Sequence, residues 1–455
     1  MPSESHDVVV VGGGTAGSFA AATAAQAGLD VVLLERKPEE EAGHIACGDA
    51  IKGKSTFPDV IDREYLREEA FTNENIRRAR FENPNDGEVL DIPFEEAGAV
   101  VDRKRYGEVL LEEAGRQGAD IRFDTLVQDV LQDGEQVVGV KTTKNGKATT
   151  FEAPIVIDAA GALSILQDKA DFSGATFDTR VNYKQFCSAY REIIETEEPV
   201  AYDDAIVFLP TAELGYLWYF PRTEREINAG LGFQMNKPPM KLVEVLKRDV
   251  ERRPEFENAT VKDKLGSSLP TRRPYDSAVA PGYLAVGDAA GHVNPATGGG
   301  IPGAAKAGYW GATAAIEAIE DGDLSESALW EYNERVMADF GKRFAAIDLY
   351  NIWAGTHSVD ELTGIVTALP GQALIDALRG DATGMSLGLK LRTLLGTFGH
   401  WGTLSELYRV HRRASALKDV YDDYPSSPDG FEAWRERRDE IYQQVYDITG
   451  ADPKY

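Results

Sequence analysis

The chain has only two cysteines, Cys47 and Cys187, in 455 residues. That excludes a disulfide framework and a four-cysteine iron–sulfur cluster within the chain. Histidine is scarce too: six are scattered with no pair at metal-ligand spacing, so no metal site is expected. Basic residues are outnumbered, 48 against 75 acidic ones, for a net charge of −27. No basic patch stands out, which argues against nucleic acid as a partner. The acid excess is spread along the chain, and arginine exceeds lysine. Such a surface repels itself at ordinary ionic strength and is tolerated in molar salt, where the screening length falls to ~3 Å. The composition fits a halophile's cytoplasmic protein, with a merely acidic mesophilic enzyme as the alternative. Long apolar runs are also missing. The uncharged stretch 8–29 is rich in glycine and preceded by Glu4 and Asp7, so it lacks the basic region of a signal peptide. No other segment approaches the ~20 apolar residues of a membrane span. A soluble protein is expected, with at most peripheral contact to the inner face of a membrane.

What is present begins at the N-terminus. Val8–Val11 is a β-branched run followed by Gly12-Gly13-Gly14-Thr15-Ala16-Gly17, and a second apolar run, Val31–Leu34, ends on Glu35. This order reads as strand, glycine turn, helix, strand, acid. Gly12 makes the tight turn, Gly14 lets the backbone approach a pyrophosphate, and Gly17 allows close helix–sheet packing. The helix N-terminus offers free N–H groups to the phosphates, and Glu35 is placed to accept hydrogen bonds from a ribose diol. A second segment selects the dinucleotide. Tyr283–Val286 reads as a short buried strand, followed by Gly287-Asp288, the glycine triplet Gly298–Gly300 and a helix from Ile301. In FAD enzymes with an N-terminal glycine motif, such a late Gly-Asp segment returns to the same sheet. Its aspartate binds the ribityl chain, and the next helix points its positive end at the isoalloxazine. FAD is therefore the expected cofactor.

Between these motifs, Asp102 is a plausible N-cap for a helix running to about Gln117. Ile121–Phe123 reads as a strand. The segments 125–130, 136–142 and 148–151 read as a three-stranded meander with turns at Asp133-Gly134 and Asn145-Gly146. The segment 55–100 reads as irregular and polar, and 172–273 as alternating aromatic-rich strands. Helices are expected over 325–348, 362–379, 388–398, 404–422 and 428–448. The fold class is α/β: a discontinuous Rossmann-like FAD-binding domain (1–54, 99–170, 275–323), an antiparallel-sheet substrate domain (55–98, 171–274) and a helical C-terminal region (324–455).

The order of these motifs, with Asp102-Arg103 and Asp158-x-x-Gly161-x-x-Ser164, resembles the para-hydroxybenzoate-hydroxylase-like flavoproteins over most of residues 6–320. Two further motifs narrow it: Cys47-Gly48-Asp49-Ala50, and Tyr216-Leu217-Trp218-Tyr219-Phe220-Pro221 with Gly230-Leu231-Gly232 after eight intervening residues. This pattern resembles the geranylgeranyl reductases, which saturate isoprenoid chains of archaeal lipids. The resemblance implies FAD contacts from Ala16, Glu35, Cys47, Gly48, Ala50, Arg103, Val127, Asp288, Gly300 and Ile301. In a strand, Tyr216, Trp218 and Phe220 project from one face and would line an apolar tunnel for a prenyl lipid, although a plain sheet core is the bland alternative. Cys47 is the candidate catalytic group, as proton donor or redox-sensitive thiol, or else a small packing residue. Cys187 is expected to be buried in a strand. No second glycine motif with strand and helix appears, so NAD(P)H and ferredoxin are both open as electron donor. Two rival readings stand: a flavin monooxygenase or halogenase of the same fold, and an electron-transfer flavoprotein without organic substrate. A halogenase would show WxWxIP in place of Tyr216–Pro221 and a lysine beside the tunnel.

Overall fold

The computed structural model describes residues 2–53, 55–84, 87, 89–178, 186–211, 215–234, 238–362 and 401–452. The strands are β1 (Ser3–Ser5), β2 (Val8–Val11), β3 (Val31–Leu34), β4 (Ala50–Ile51), β5 (Phe71–Glu82), β6 (Val89–Val101), β7 (Asp120–Arg122), β8 (Leu126–Asp133) and β9 (Gln136–Lys144). They continue as β10 (Lys147–Glu152), β11 (Ile155–Asp158), β12 (Phe186–Glu195), β13 (Ala205–Thr211), β14 (Gly215–Pro221), β15 (Glu226–Gln234), β16 (Thr260–Pro270), β17 (Val279–Ala280) and β18 (Tyr283–Ala285). The helices are α1 (Thr15–Gln26), α2 (Arg63–Ala70), α3 (Arg103–Arg116), α4 (Ile165–Lys169), α5 (Met240–Val250), α6 (Ile301–Asp321), α7 (Glu326–Val336), α8 (Lys342–Ala354), α9 (Trp401–Asp422) and α10 (Phe431–Thr449).

Continuous apolar runs make the central sheet, because strands covered on both faces need no polar alternation. Its order is β17-β18-β11-β2-β3-β7, parallel except for the β17–β18 edge. All four valines of β2 are buried. Asp102 caps α3 as expected, its carboxylate accepting from the Lys104 and Arg105 amides. The predicted meander forms as β8, β9 and β10, and β1 adds a fourth strand, parallel to β10.

The second sheet has eight strands in the order β16-β12-β15-β14-β13-β5-β6-β4. Here the sequence reading needs correction. The segment read as irregular, 55–100, holds α2 and the long β5–β6 hairpin. The hairpin joins the larger sheet through β13, which runs parallel to β5, so that sheet is antiparallel apart from one pair.

After α6 the chain turns back as α7 and α8, joined by a π-helical turn at Met337–Gly341. The tail docks through buried charge. Asp276 pairs with Arg273 at 2.7 Å and Arg438 at 3.2 Å, and it accepts a hydrogen bond from Tyr421 at 2.5 Å. The helices expected over 362–379 and 388–398 lie outside the described residues. Among the described residues, no helix is long and apolar enough to cross a membrane.

Candidate active site

The glycine turn forms the first wall. Gly12 adopts φ +104°, a conformation open to glycine, and a Cβ there would meet the Ala159 carbonyl oxygen at 2.4 Å. A Cβ on Gly17 would meet the Gly12 oxygen at 1.9 Å, so α1 sits directly on the strand end. At Gly14, the N-cap of α1, a Cβ would meet nothing within 4 Å. Gly14, Thr15 and Ala16 therefore face open space with the first N–H groups of α1 aimed into it. Across that space stands Arg103, only 4% exposed, with one amine donating to the Thr15 hydroxyl at 3.1 Å. Its other amine, Nη1, is buried and finds no hydrogen-bond partner among the described residues. A buried, half-satisfied guanidinium beside a helix N-terminus matches a pyrophosphate, so these residues fit a dinucleotide. Glu35 is buried and receives the Gly13 amide at 2.8 Å and the Lys37 amide at 2.9 Å. These bonds hold the carboxylate on the turn, and its remaining lone pairs are what a ribose would use. Val127 is buried in β8, two residues beyond Thr125, whose amide bonds the Glu35 carbonyl.

The second wall comes from the Gly287-Asp288 turn. A Cβ on Gly287 would meet the Ala16 Cβ at 2.8 Å, and one on Gly308 in α6 would meet the Ala16 oxygen at 2.1 Å. α6 is thus pressed against α1, and Gly300 and Ile301 at its N-terminus line the same cavity as Asp288. Burial pushes the Asp288 carboxyl up to about 6, with Arg103 opposing. His292, not singled out from sequence, accepts the Gly287 amide on Nδ1 at 3.1 Å. Burial lowers its pKa to about 3, so it stays neutral and locks the turn. Asp158 is buried rather than cavity-facing: it holds the Ala160 amide and the Tyr283 hydroxyl.

The third wall is the sheet face, and its register decides which side chains share it. Trp218 pairs with Phe208 on β13 and with Gly230 on β15. Phe208 pairs with Phe81 on β5, and Phe81 with Leu90 on β6. Strand partners point to the same side, so Tyr216, Trp218, Phe220, Phe208, Phe81 and Leu90 form one apolar lane. All of them line the cavity. Leu217 and Tyr219 take the opposite face and pack in a separate core with Leu242 and Leu246 of α5. The motif glycines follow from this packing: a Cβ on Gly230 would sit 2.3 Å from the Trp218 indole, and one on Gly48 would sit 2.9 Å from the Phe220 ring. The Tyr216 hydroxyl donates to the Thr297 carbonyl at 2.7 Å, fastening the lane to the glycine-rich loop before α6.

One buried network joins the loop of Cys47, Gly48 and Asp49 to this lane, and the sequence reading missed most of it. The Asn228 amide donates to the Cys47 carbonyl at 2.8 Å and to Asp49 at 2.6 Å, while its oxygen accepts the Trp218 indole N–H at 2.9 Å. Arg222 holds the same Asp49 carboxylate through two donors, at 2.9 and 2.6 Å. Asp49 is fully buried with φ +67°, strain that the clamp sustains. Desolvation, then the Asp49 charge, pushes the Cys47 thiol upward, so it remains protonated. Cys187, expected to be only a buried strand residue, also lines the cavity, and burial raises its thiol to about 12. Both cysteines are free. Among the described residues no cluster suits a metal ion.

The three walls enclose one continuous cavity of about 1560 Å³, roofed in part by Ile352 of α8 and Tyr446 of α10. Sites for a single small ligand usually run to roughly 300–1,000 Å³, so this volume suits a dinucleotide and a long second ligand together.

Residues 7–196 match the FAD dependent oxidoreductase family. A digeranylgeranylglycerophospholipid reductase of Methanopyrus kandleri is 32% identical over 82% of this chain and 93% of its own. The corresponding reductase of Sulfolobus acidocaldarius is 28% identical over 97% and 98%. Among solved structures, a geranylgeranyl bacteriochlorophyll reductase-like protein of Thermoplasma acidophilum superposes with a TM-score of 0.73 at 24% identity, covering 90% of this chain and all of that one. This chain belongs to the digeranylgeranylglycerophospholipid reductase family of FAD-dependent oxidoreductases.

Proposed function

We propose that the enzyme saturates carbon–carbon double bonds in the geranylgeranyl chains of an archaeal membrane glycerophospholipid or a closely related prenyl compound. The observation that carries this reading is the apolar lane of Tyr216, Trp218, Phe220, Phe208 and Phe81, continuous with the nucleotide turn in one cavity. Gly12, Gly14, Ala16, Gly17, Glu35, Arg103, Val127 and Asp288 would hold the nucleotide and ribityl parts of FAD. Cys47, Gly48, Ala50, Gly300 and Ile301 would flank its ring. Reduced FAD supplies the hydride when bound, and NAD(P)H or reduced ferredoxin supplies its electrons. The lipid would be met at the surface of a membrane, through peripheral contact.

An isolated trisubstituted alkene is a poor hydride acceptor, because no carbonyl takes up the negative charge. A proton placed on one carbon leaves tertiary cation character on the other. The faces of Trp218 and Tyr216 stabilise such a cation by ~1–2 kcal/mol each once water is excluded. Cys47, held protonated by burial beside Asp49 and lining the same cavity, is the proton source we assign. Of the two lysines lining the cavity among the described residues, Lys306 is tied to Asp339 at 2.6 Å and Lys52 is exposed. Neither stands in the aromatic lane where a halogenase would place one.

The test is anaerobic incubation of dithionite-reduced enzyme with a geranylgeranyl lipid, followed by mass spectrometry. Addition of two hydrogens per double bond is expected; no product without air, but oxygenated or halogenated product with it, would overturn the reading in favour of its rivals. Cys47→Ala should lower kcat by about 10²-fold with little change in KM, and full turnover in Cys47→Ser would remove its catalytic role.

A further inference from the structure

Two exposed cations lining the cavity lack an ion-pair partner among the described residues. Among the described residues six basic side chains line it: Lys52, Arg103, Arg191, Arg272, Lys306 and Arg343. Three are ion-paired, Arg191 with Asp263, Arg272 with Asp348 and Lys306 with Asp339. Arg103 serves the glycine turn. Lys52 and Arg343 remain, and neither is ion-paired among the described residues. Both are exposed while lining the cavity, which places them on its rim. Lys52 follows β4, and Arg343 stands in the first turn of α8. Although its surface is exposed, Lys52 is partly desolvated by the cavity wall; that desolvation and then the Arg343 charge lower its pKa, so the two cations lie within electrostatic reach of each other. In a chain with 75 acidic and 48 basic residues, two neighbouring cations left unneutralised run against the composition. The Arg343 guanidinium lies 5.3 Å from the Phe344 ring, and Phe340 and Phe344 carry apolar lining up to it. Aromatic lining beside two exposed cations has the form of a site for an amphiphile with an anionic head.

We infer that Lys52 and Arg343 form an anion site for a phosphate ester at the rim of the cavity, the phosphate arriving on the head group of the prenyl lipid or on a nicotinamide nucleotide. For the lipid source this rests on the reductase reading above. The guanidinium fork presents paired donors to phosphate oxygens, and the ammonium adds a compact charge.

The experiment is calorimetric titration of FAD-loaded enzyme with geranylgeranyl phosphate, geranylgeraniol and NADPH, comparing the wild type with the Lys52→Ala/Arg343→Ala double variant. The double variant should lose about tenfold in affinity for a phosphate-bearing ligand. Loss confined to geranylgeranyl phosphate assigns the site to the lipid head; loss confined to NADPH assigns it to the donor. Lys52→Arg/Arg343→Lys, which keeps both charges, should retain most of the affinity. Equal losses for geranylgeraniol and geranylgeranyl phosphate, or no loss for either phosphate ligand, would overturn the inference. Binding is read without turnover. An enzyme that binds geranylgeranyl phosphate through these residues but saturates nothing would therefore overturn the reductase reading and leave the anion site standing.

Discussion

Asp49 and Asp288 are both carboxylates in the cavity wall, and their surroundings give them different tasks. Asp49 is held by two donors of Arg222 and one of Asn228. Removing Arg222 would leave that charge buried and uncompensated, so Arg222→Ala should cost about 3–5 kcal/mol in urea unfolding. Arg222→Lys should recover only part, because a single ammonium cannot reproduce the fork. Burial raises both carboxyls: Asp49 against the opposing pull of Arg222 and Asn228, and Asp288, which has no such clamp, from 3.8 to about 6. The folded apoprotein therefore holds a proton there that the unfolded chain has released between roughly pH 4 and 6. Its stability falls as pH rises through that window and levels off above it. Apo Asp288→Asn should consequently melt higher than apo wild type at pH 7.5, by at most about 2–3 kcal/mol, with the gap closing toward pH 5. FAD affinity should move the other way: it should fall in the variant, and in the wild type rise with pH through about 6, since hydroxyl donors favour the ionised carboxylate. A pH-independent gap between the two melting curves would contradict this assignment. The place of Asp288 in the cavity wall was legible in sequence because it follows a glycine at a strand end. The clamp was not legible, because Asp49, Arg222 and Asn228 become neighbours only when a loop crosses the face of β14 and β15.

Among the elements, the α1–α6 contact sets the geometry of the nucleotide wall. Gly308→Ala would place a methyl 2.1 Å from the Ala16 oxygen, which is backbone and cannot step aside. The expected result is about 1–3 kcal/mol of destabilisation together with loss of bound flavin, read by thermal melting and flavin absorbance after gel filtration. Both helices and the buried parallel strands were readable because alanine-rich and valine-rich runs leave little choice of partner. The β5–β6 hairpin was not. Its strands carry charge on the outer face, β6 contains Pro93, and the pairing shifts register at three places between Phe71 and Arg78. The bulges reset the polar–apolar alternation along β5, and in β6 the alternation of Leu90, Ile92 and Phe94 is interrupted by Pro93. The helical pattern over 325–348 was seen as one element. The π turn at Met337–Gly341 divides it and turns Asp339, Phe340, Arg343 and Phe344 onto the cavity.

For the whole molecule, a net charge of −27 is the dominant long-range term. Surface ion pairs offset little of it. Raising KCl from about 0.1 M to about 2 M shortens the screening length from ~10 Å to under 3 Å, and the melting temperature should rise by roughly 5 °C or more. Sodium chloride should act alike if screening is the cause; a flat response would show that the acids are already spaced far enough apart.

The parallel junction between β5 and β13 also constrains how the chain is made. Ala205 seats beside Arg78, so the inner edge of the hairpin waits for a segment synthesised long afterwards. At about 5–20 residues per second, the ribosome needs roughly ten seconds to deliver it. During that interval Phe81 and Ile92 are in the nascent chain without Phe208 and Ile206 beside them, and the newborn hairpin is a stretch that a chaperone would cover.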